Sequence, residues 1–221
     1  MKLHIGCGRN LIEGFINIDN SPIALLSKCN TGLLQAFKKF SLINEDQFAF
    51  AQTIKRRKKE FVRSNCLKLP FKDGTVDFCY TSHMLGWCLS EDQLTVFFRE
   101  LHRVLRPGGA LRLSFFDFDQ KVSEYREHKN TALFFQQMPL GTREFNFRSK
   151  LKFLFSPNIQ NGLPLNGETM TRILKQHDFR DIRLLRAGET TMETSLVSNL
   201  DLSERAGETL YVECRKAIAA A

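Results

Sequence analysis

Residues 73–116 read DGTVDFCYTSHMLGWCLSEDQLTVFFRELHRVLRPGGALRLSFF. Asp73-Gly74 is a turn signal, and Val76 to Thr81 alternates and clusters apolar residues as a strand does, ending in Ser82-His83. Ser90, with Gln93 three residues later, has the form of a helix cap. From there to about Leu105, residues Leu94, Phe97, Phe98, Leu101, Val104 and Leu105 share one helical face. Arg106-Pro107-Gly108-Gly109 stops the helix, and Ala110 to Phe116 reads as a buried strand followed by Asp117 and Asp119. Strand, helix, strand is a βαβ unit, so the chain is read as an α/β protein with a mostly parallel sheet.

Working outward, Lys2 to Asn20 reads KLHIGCGRNLIEGFINIDN. Leu3–Ile5 and Phe15–Ile18 are two short apolar runs, the first ending in Gly6-Cys7-Gly8 and the second in Asp19. Glycines after a buried strand let the backbone turn sharply and approach a ligand closely. A carboxylate at the tip of the neighbouring strand can accept from both hydroxyls of a ribose. A nicotinamide dinucleotide fits badly: the third glycine of its fingerprint would fall at Leu11, and Asp19 follows Gly6 by only thirteen positions where about twenty are expected. Eight residues, Cys7 to Gly14, separate the two strands, fewer than the dozen or so a crossover usually takes. The first helix is therefore expected to be a turn or two at most, stopped at Gly14.

The 221 residues and 43% hydrophobic content suit one core, and a single domain over 1–221 is expected. There is no run of about eighteen apolar residues to span a membrane, and the first strand follows Met1 too closely for a secretory leader. The six cysteines include no Cys-x-x-Cys pair, so they read as reduced, mostly buried thiols of a cytoplasmic protein, and no metal is expected. The net charge of +8 is local: between residues 20 and 64 nine Lys or Arg face three acids, with Lys55, Arg56, Arg57, Lys58 and Lys59 consecutive. Such a run is either a solvated face or a contact for something anionic: an acidic substrate, nucleic acid or a membrane surface.

Elsewhere, the spacing of Leu33, Leu34, Phe37 and Phe40 predicts a helix over about 31–41, and a second helix covers 48–60. Phe61–Arg63 is a short strand. After Gln120 the pattern loosens, with a helix over 130–137 and no clear place in a sheet. Gly167–His177 is a helix, Asp181–Arg186 and Thr209–Arg215 are strands, and 217–221 reads as a frayed tail. Insertions at about 20–60 and 121–165 are expected to cap the substrate.

These residues together resemble the class I S-adenosylmethionine-dependent methyltransferases. The resemblance rests on His4-Ile5-Gly6-Cys7-Gly8, Ile16-Asn17-Ile18-Asp19, Leu69-Pro70-Phe71-x-Asp73-Gly74-x-x-Asp77-Phe78, Thr81-Ser82-His83, and Glu100-x-x-Arg103-Val104-Leu105-Arg106-Pro107-Gly108-Gly109. The closing Leu210–Lys216 is similar to the end of a short branch associated with sugar and surface-polysaccharide pathways. The resemblance implies a Rossmann-like sheet of seven strands, parallel except for the last, with helices on both sides. It implies S-adenosyl-L-methionine as cofactor, with Gly6, Cys7 and Gly8 along its methionine and ribose and Asp19 on the ribose hydroxyls. Asn65, with Cys66 beside it, stands where the family often has an aspartate for the adenine amino group, and Ser82 and His83 lie next to the reacting methyl. Many relatives read Ser-His-x-Leu-Glu-His where this chain has Ser82-His83-Met84-Leu85-Gly86-Trp87.

Methyl transfer asks mainly for alignment of the acceptor. A hydroxyl acceptor gains from a general base, for which His83 is the candidate, because histidine ordinarily titrates near neutral pH, with Asp117 or Asp119 as alternatives. The function expected is methylation of an oxygen or nitrogen on a small-molecule or glycan-like acceptor. A non-catalytic binding or scaffold protein of the same fold, motivated by Gly86 and Trp87, and a nucleic-acid methyltransferase, motivated by the basic run, are the alternatives. The acceptor and the oligomeric state are not legible.

Overall fold

The computed structural model describes residues 1–137, 163–197, 200 and 207–218. Its seven strands are β1 (Lys2–Ile5), β2 (Ile16–Asp19), β3 (Phe61–Arg63), β4 (Val76–Ser82), β5 (Leu105–Phe116), β6 (Phe179–Leu185) and β7 (Thr209–Lys216). They form one sheet in the order β3-β2-β1-β4-β5-β7-β6. The pairs from β3 to β5 are parallel, and β7 runs antiparallel to both β5 and β6. Only the last strand is reversed, as the resemblance implied.

Nine helices occur among the described residues: α1 (Ile23–Leu26), α2 (Thr31–Lys39), α3 (Glu45–Arg56), α4 (Leu85–Cys88), α5 (Glu91–Val104), α6 (Phe118–His128), α7 (Thr131–Gln137), α8 (Gly167–Gln176) and α9 (Thr194–Val197). The alternation of β1, β4 and β5 sorts the core into two faces. On one, Leu3, Ile5, Cys79, Leu111 and Leu113 pack with Phe97, Phe98 and Leu101 of α5 and Met170 and Leu174 of α8. On the other, Phe78, Tyr80 and Ala110 pack with Ile12, Phe15, Val197 of α9 and Leu200. A third cluster joins α1, α2 and α3 through Ile23, Leu34, Phe50 and Ile54.

The helices start where their caps are. The Ser90 and Gln93 side chains exchange hydrogen bonds with each other's backbone N–H to open α5, and Asn44 with Gln47 does the same for α3. The Asn44 signal moves the start of the second helix from the expected 48 to 45, and it ends at Arg56, with a 3-10 turn over Lys58–Glu60. Arg106 to Gly109 do not precede the strand. They form an irregularity inside β5, where the register jumps from Val76 opposite Leu105 to Phe78 opposite Ala110. The sequence pattern does not announce helix α6; its low apolar content, with Lys121 its only buried residue, gives no periodic stripe to read.

Between β1 and β2 the expected turn or two of helix is absent. The Asn17 side chain does that helix's work: its Oδ1 accepts from Ile12 N–H, and its Nδ2 donates to the carbonyls of Ile12, Phe15 and Glu60. His4 Nδ1 lies 3.2 Å from the same Oδ1, and burial lowers the imidazole to about 4, leaving it neutral at physiological pH. One amide thus satisfies the backbone of a connection too short for a helix.

The tail expected to fray from 217 is held at its start, where Ala217 N–H donates to the Asp178 carbonyl. Residues 219–221 lie outside the described residues, as does most of the cap expected over 121–165.

Candidate functional site

A cavity of about 490 Å³ opens at the carboxyl ends of β1, β2 and β4, within the range of about 300–1,000 Å³ usual for small-molecule sites. Gly6, Gly8, Asp19, Asn65, Cys66, Ser82 and His83 all line it. Sequence residues separated by up to 77 positions therefore meet at one sheet edge.

Asp19 organises the floor. Its Oδ2 accepts from Gly8 N–H at 2.9 Å and its Oδ1 from Ser21 N–H at 2.6 Å. A carboxylate has about four acceptor positions, so each oxygen keeps one for a ligand. Burial raises the Asp19 pKa, against the Ser21 and Gly8 N–H groups and the Arg63 charge, which lower it. Gly6 and Gly8 both have φ in the left-handed region. A Cβ on Gly6 would collide with Met84, which also lines the cavity, whereas the place of a Cβ on Gly8 has nothing within 4 Å. The space above Gly8 is the opening a ligand needs.

Cys7 behaves differently from its neighbours. Its buried side chain packs with Leu11, Ile23 and Leu34, away from the cavity lining, and desolvation pushes the thiol far above its ordinary range. Its N–H continues the strand pairing by donating to Ile18 O. Of the residues 6–8, only the two glycines face the cavity.

The wall carrying Asn65 is held from behind. Glu100 Oε1 accepts from Leu69 N–H, while Arg103 donates to the Leu69 and Phe71 carbonyls and to Asp73. The motif residues of α5 thus clamp the loop that presents Asn65 to Leu67. Asn65 Oδ1 accepts from Leu67 N–H at 2.9 Å, an Asx turn that leaves the oxygen a second acceptor position. Leu67 and Leu89 add apolar surface, and Asn20, Ser21, Pro22, Ser64, Met84 and Gln93 complete the lining. Sequence reasoning did not assign these; Gln93 carried a signal, but as a cap, and the others carried none beyond adjacency to Asp19, Asn65 and His83.

His83 directly follows β4 and has φ +51, uncommon outside glycine. Its N–H donates to Ser114 O at 2.7 Å, and its Nε2 lies 3.1 Å from Thr209 Oγ1 on β7. Next to it Ser82 Oγ is 2.8 Å from Ser114 Oγ. Asp117 and Asp119 are not among the lining residues. Asp117 caps α6, and both carboxylate oxygens of Asp119 accept from Asn166 Nδ2.

The departure at Gly86 has a packing cause. A Cβ there would lie 2.9 Å from the Leu163 carbonyl, and Leu163 N–H donates to Gly86 O. The segment entering α8 crosses α4 at a distance that a glutamate could not allow. Among the described residues there is no cluster of His, Cys, Asp or Glu able to hold a metal, and no helix long and apolar enough to cross a membrane.

Comparison with known proteins agrees with this fold. A family model described as a methyltransferase domain matches residues 42–113. Malonyl-[acyl-carrier protein] O-methyltransferase from Marinomonas sp. (strain MWYL1) is 28% identical over 107 residues, covering 48% of this chain and 34% of that protein. The match thus spans about a third of that curated relative. The solved structure of a SAM-dependent methyltransferase from Methanosarcina mazei aligns with a TM-score of 0.53 at 16% identity, covering 98% of this chain and 92% of the other. Phosphoethanolamine N-methyltransferase 2 from Haemonchus contortus, in complex with S-adenosyl-L-methionine, aligns with a TM-score of 0.50 at 13% identity, over 98% of this chain and 48% of that one. Strand order, the single reversed strand and these alignments give the chain the class I methyltransferase fold.

Proposed function

We propose that the chain is an S-adenosyl-L-methionine-dependent methyltransferase acting on an oxygen or nitrogen atom of a small-molecule or glycan-like acceptor. The observation that carries this reading is the Asp19 carboxylate, fixed by two backbone N–H groups and facing the cavity beside two glycines, with acceptor positions left over. Those positions match the paired hydroxyls of a ribose. Asn65 Oδ1 is the acceptor for the adenine amino group, and Leu67 and Leu89 offer the apolar surface on which a base can lie. When bound, the cofactor supplies a methyl group already activated by its sulfonium.

The chain's own task is then to hold the acceptor beside Ser82 and His83 and to exclude water. For a hydroxyl acceptor, the His83 imidazole takes the proton that the hydroxyl loses, and Thr209 fixes the ring's orientation. The malonyl-[acyl-carrier protein] relative is named for transfer to oxygen, which supports an oxygen acceptor here. The packing of Gly86 against Leu163 gives the missing glutamate a steric cause, so its absence is no argument by itself for a scaffold.

Calorimetric titration tests the cofactor assignment. S-adenosyl-L-methionine and S-adenosylhomocysteine are expected to bind with micromolar affinity and a nicotinamide dinucleotide not at all; absence of binding by the first two overturns the reading. His83→Asn is the informative variant for the base, because asparagine tolerates a left-handed φ. With a hydroxyl acceptor it is expected to lower kcat by about 10²–10⁴ while cofactor affinity holds. An unchanged kcat would assign His83 to structure alone.

A further inference from the structure

We propose that the α1–α3 segment is a docking surface for an anionic lipid membrane. Helix α2 and its C-cap residue Phe40 place Leu33, Ala36, Phe37 and Phe40 at i, i+3, i+4 and i+7, the spacing of a single apolar stripe. A stripe of this kind ordinarily faces the core. Here only Leu34 is fully buried, within the cluster formed with Ile43, Phe50 and Ile54, and Phe37 packs partly buried against the same cluster. Leu33 is 43% exposed and Phe40 72%, and Leu25 of α1 is 42% exposed. The helix packs inward through Leu34 and Phe37 and leaves Leu33 and Phe40 to solvent.

The charges around these side chains are unbalanced. Within residues 20–64 the three acids are each already paired: Glu45 with Lys38, Asp46 with Arg9, and Glu60 with Arg57. Lys28, Lys39, Lys55, Arg56, Lys58 and Lys59 are exposed and have no acidic partner among the described residues. Lys55 Nζ reaches the Cys29 carbonyl, which brings the basic end of α3 to the junction of α1 and α2. The surface therefore combines exposed Leu and Phe side chains with six cations that have no acidic partner among the described residues, the composition that inserts between lipid chains while satisfying anionic headgroups. A second copy of the chain would bring like charges together. Nucleic acid would leave Leu25 and Leu33 without a partner.

The position of the surface also suits the cavity. Asn20, Ser21 and Pro22 line it, and Pro22 is the residue that leads into α1. A membrane seated on α1 and α2 would lie at the rim that Asp19 opens onto. The inference stands apart from the methyl-transfer reading, and its test uses no cofactor.

The test is flotation of the purified chain with phosphatidylcholine vesicles, with and without phosphatidylglycerol, at low and high salt. Binding is expected only to the anionic vesicles and to weaken as salt rises. The double substitution Leu33→Ser with Phe40→Ser should weaken it roughly tenfold or more, with the thermal melt unchanged because both side chains are exposed. Lys55→Glu, Arg56→Glu, Lys58→Glu and Lys59→Glu together should abolish it. No flotation of the parent chain overturns the proposal. So does flotation that the serine pair leaves intact, or binding to an RNA or an acidic protein that depends on the cations but not on Leu33 and Phe40.

Discussion

Asp19→Ala is expected to reduce affinity for S-adenosyl-L-methionine by roughly 10²–10⁴-fold in a calorimetric titration, while the chain remains folded. The loss follows from two charge-assisted hydrogen bonds to the ribose hydroxyls at about 1.5–3 kcal/mol each, or about 3–6 kcal/mol together. Stability responds less, because two effects oppose. The substitution leaves Gly8 N–H and Ser21 N–H without their acceptor, and it also removes a carboxylate that burial penalises. The two properties also respond to pH with opposite signs. The folded chain raises the Asp19 pKa, so protonation on acidification favours folding. Yet the protonated group loses charge and an acceptor position, so cofactor affinity should hold above the raised pKa and fall below it. In the Asp19→Ala chain that fall should be absent. An alanine variant that binds within a factor of a few of the parent would remove Asp19 from the site.

The fold and the floor of the site were legible for one reason: their signals are local. A glycine pair after an apolar run, an acid at the tip of the next run, and a capped helix stopped by Pro-Gly-Gly each lie within a few residues of sequence. The order of such signals gave a mostly parallel sheet, and the family resemblance they carry implied the single reversed strand. What stayed hidden depends on distant partners. Nothing around Asn17 announces that its amide replaces a helix, because its bonds run to Ile12, Phe15 and Glu60. Gly86 reads as the loss of an acid until the Leu163 carbonyl is seen to need its space. Cys7 sits between two cavity glycines in sequence, yet its side chain turns into the α1–α2 cluster. Helix α6 stayed hidden for a different reason, since a polar helix has no stripe to read. The spacing of Leu33, Leu34, Phe37 and Phe40, conversely, predicts the helix that α2 forms but not that Leu34 and Phe37 pack inward while Leu33 and Phe40 face outward; periodicity gives the stripe and not its direction.

Arg112 and Glu213 are the extreme case of a distant partner, and the largest loss of stability is expected there. Either residue alone, inside an apolar strand, would be placed on a solvent-facing position. In the fold they sit directly opposite each other on β5 and β7, at 0% and 1% exposure. Glu213 Oε1 accepts from Arg112 and Thr190 Oγ1, and Oε2 from the Thr191 N–H and hydroxyl. All of its acceptor positions are used. Arg112 also donates to the Glu189 carbonyl and lies over the Tyr211 ring, so the pair ties residues 189–191 to the sheet. Desolvation pushes the Glu213 pKa up, but these hydrogen bonds and the Arg112 charge outweigh it and hold the carboxyl below its ordinary range. Removing one partner leaves the other charge buried and unpaired, which typically costs about 3–5 kcal/mol. For a chain of this length Glu213→Ala should lower Tm by roughly 6–20 °C. The sign with pH follows from the lowered pKa: the contribution is present above the ordinary carboxylate range and is lost as pH falls through the folded value. Acid unfolding of the parent should therefore include a step that Glu213→Ala lacks. The double replacement Arg112→Met with Glu213→Leu separates pairing from packing. It leaves no buried charge, so it should regain much of the lost Tm, short of the bond that Thr191 N–H gives up. A single variant as stable as the parent would mean that water reaches the pair, and that the segment over this face of the sheet is held by the packing of Met192, Val197 and Leu200 and the Tyr80 hydroxyl bond to the Leu200 carbonyl.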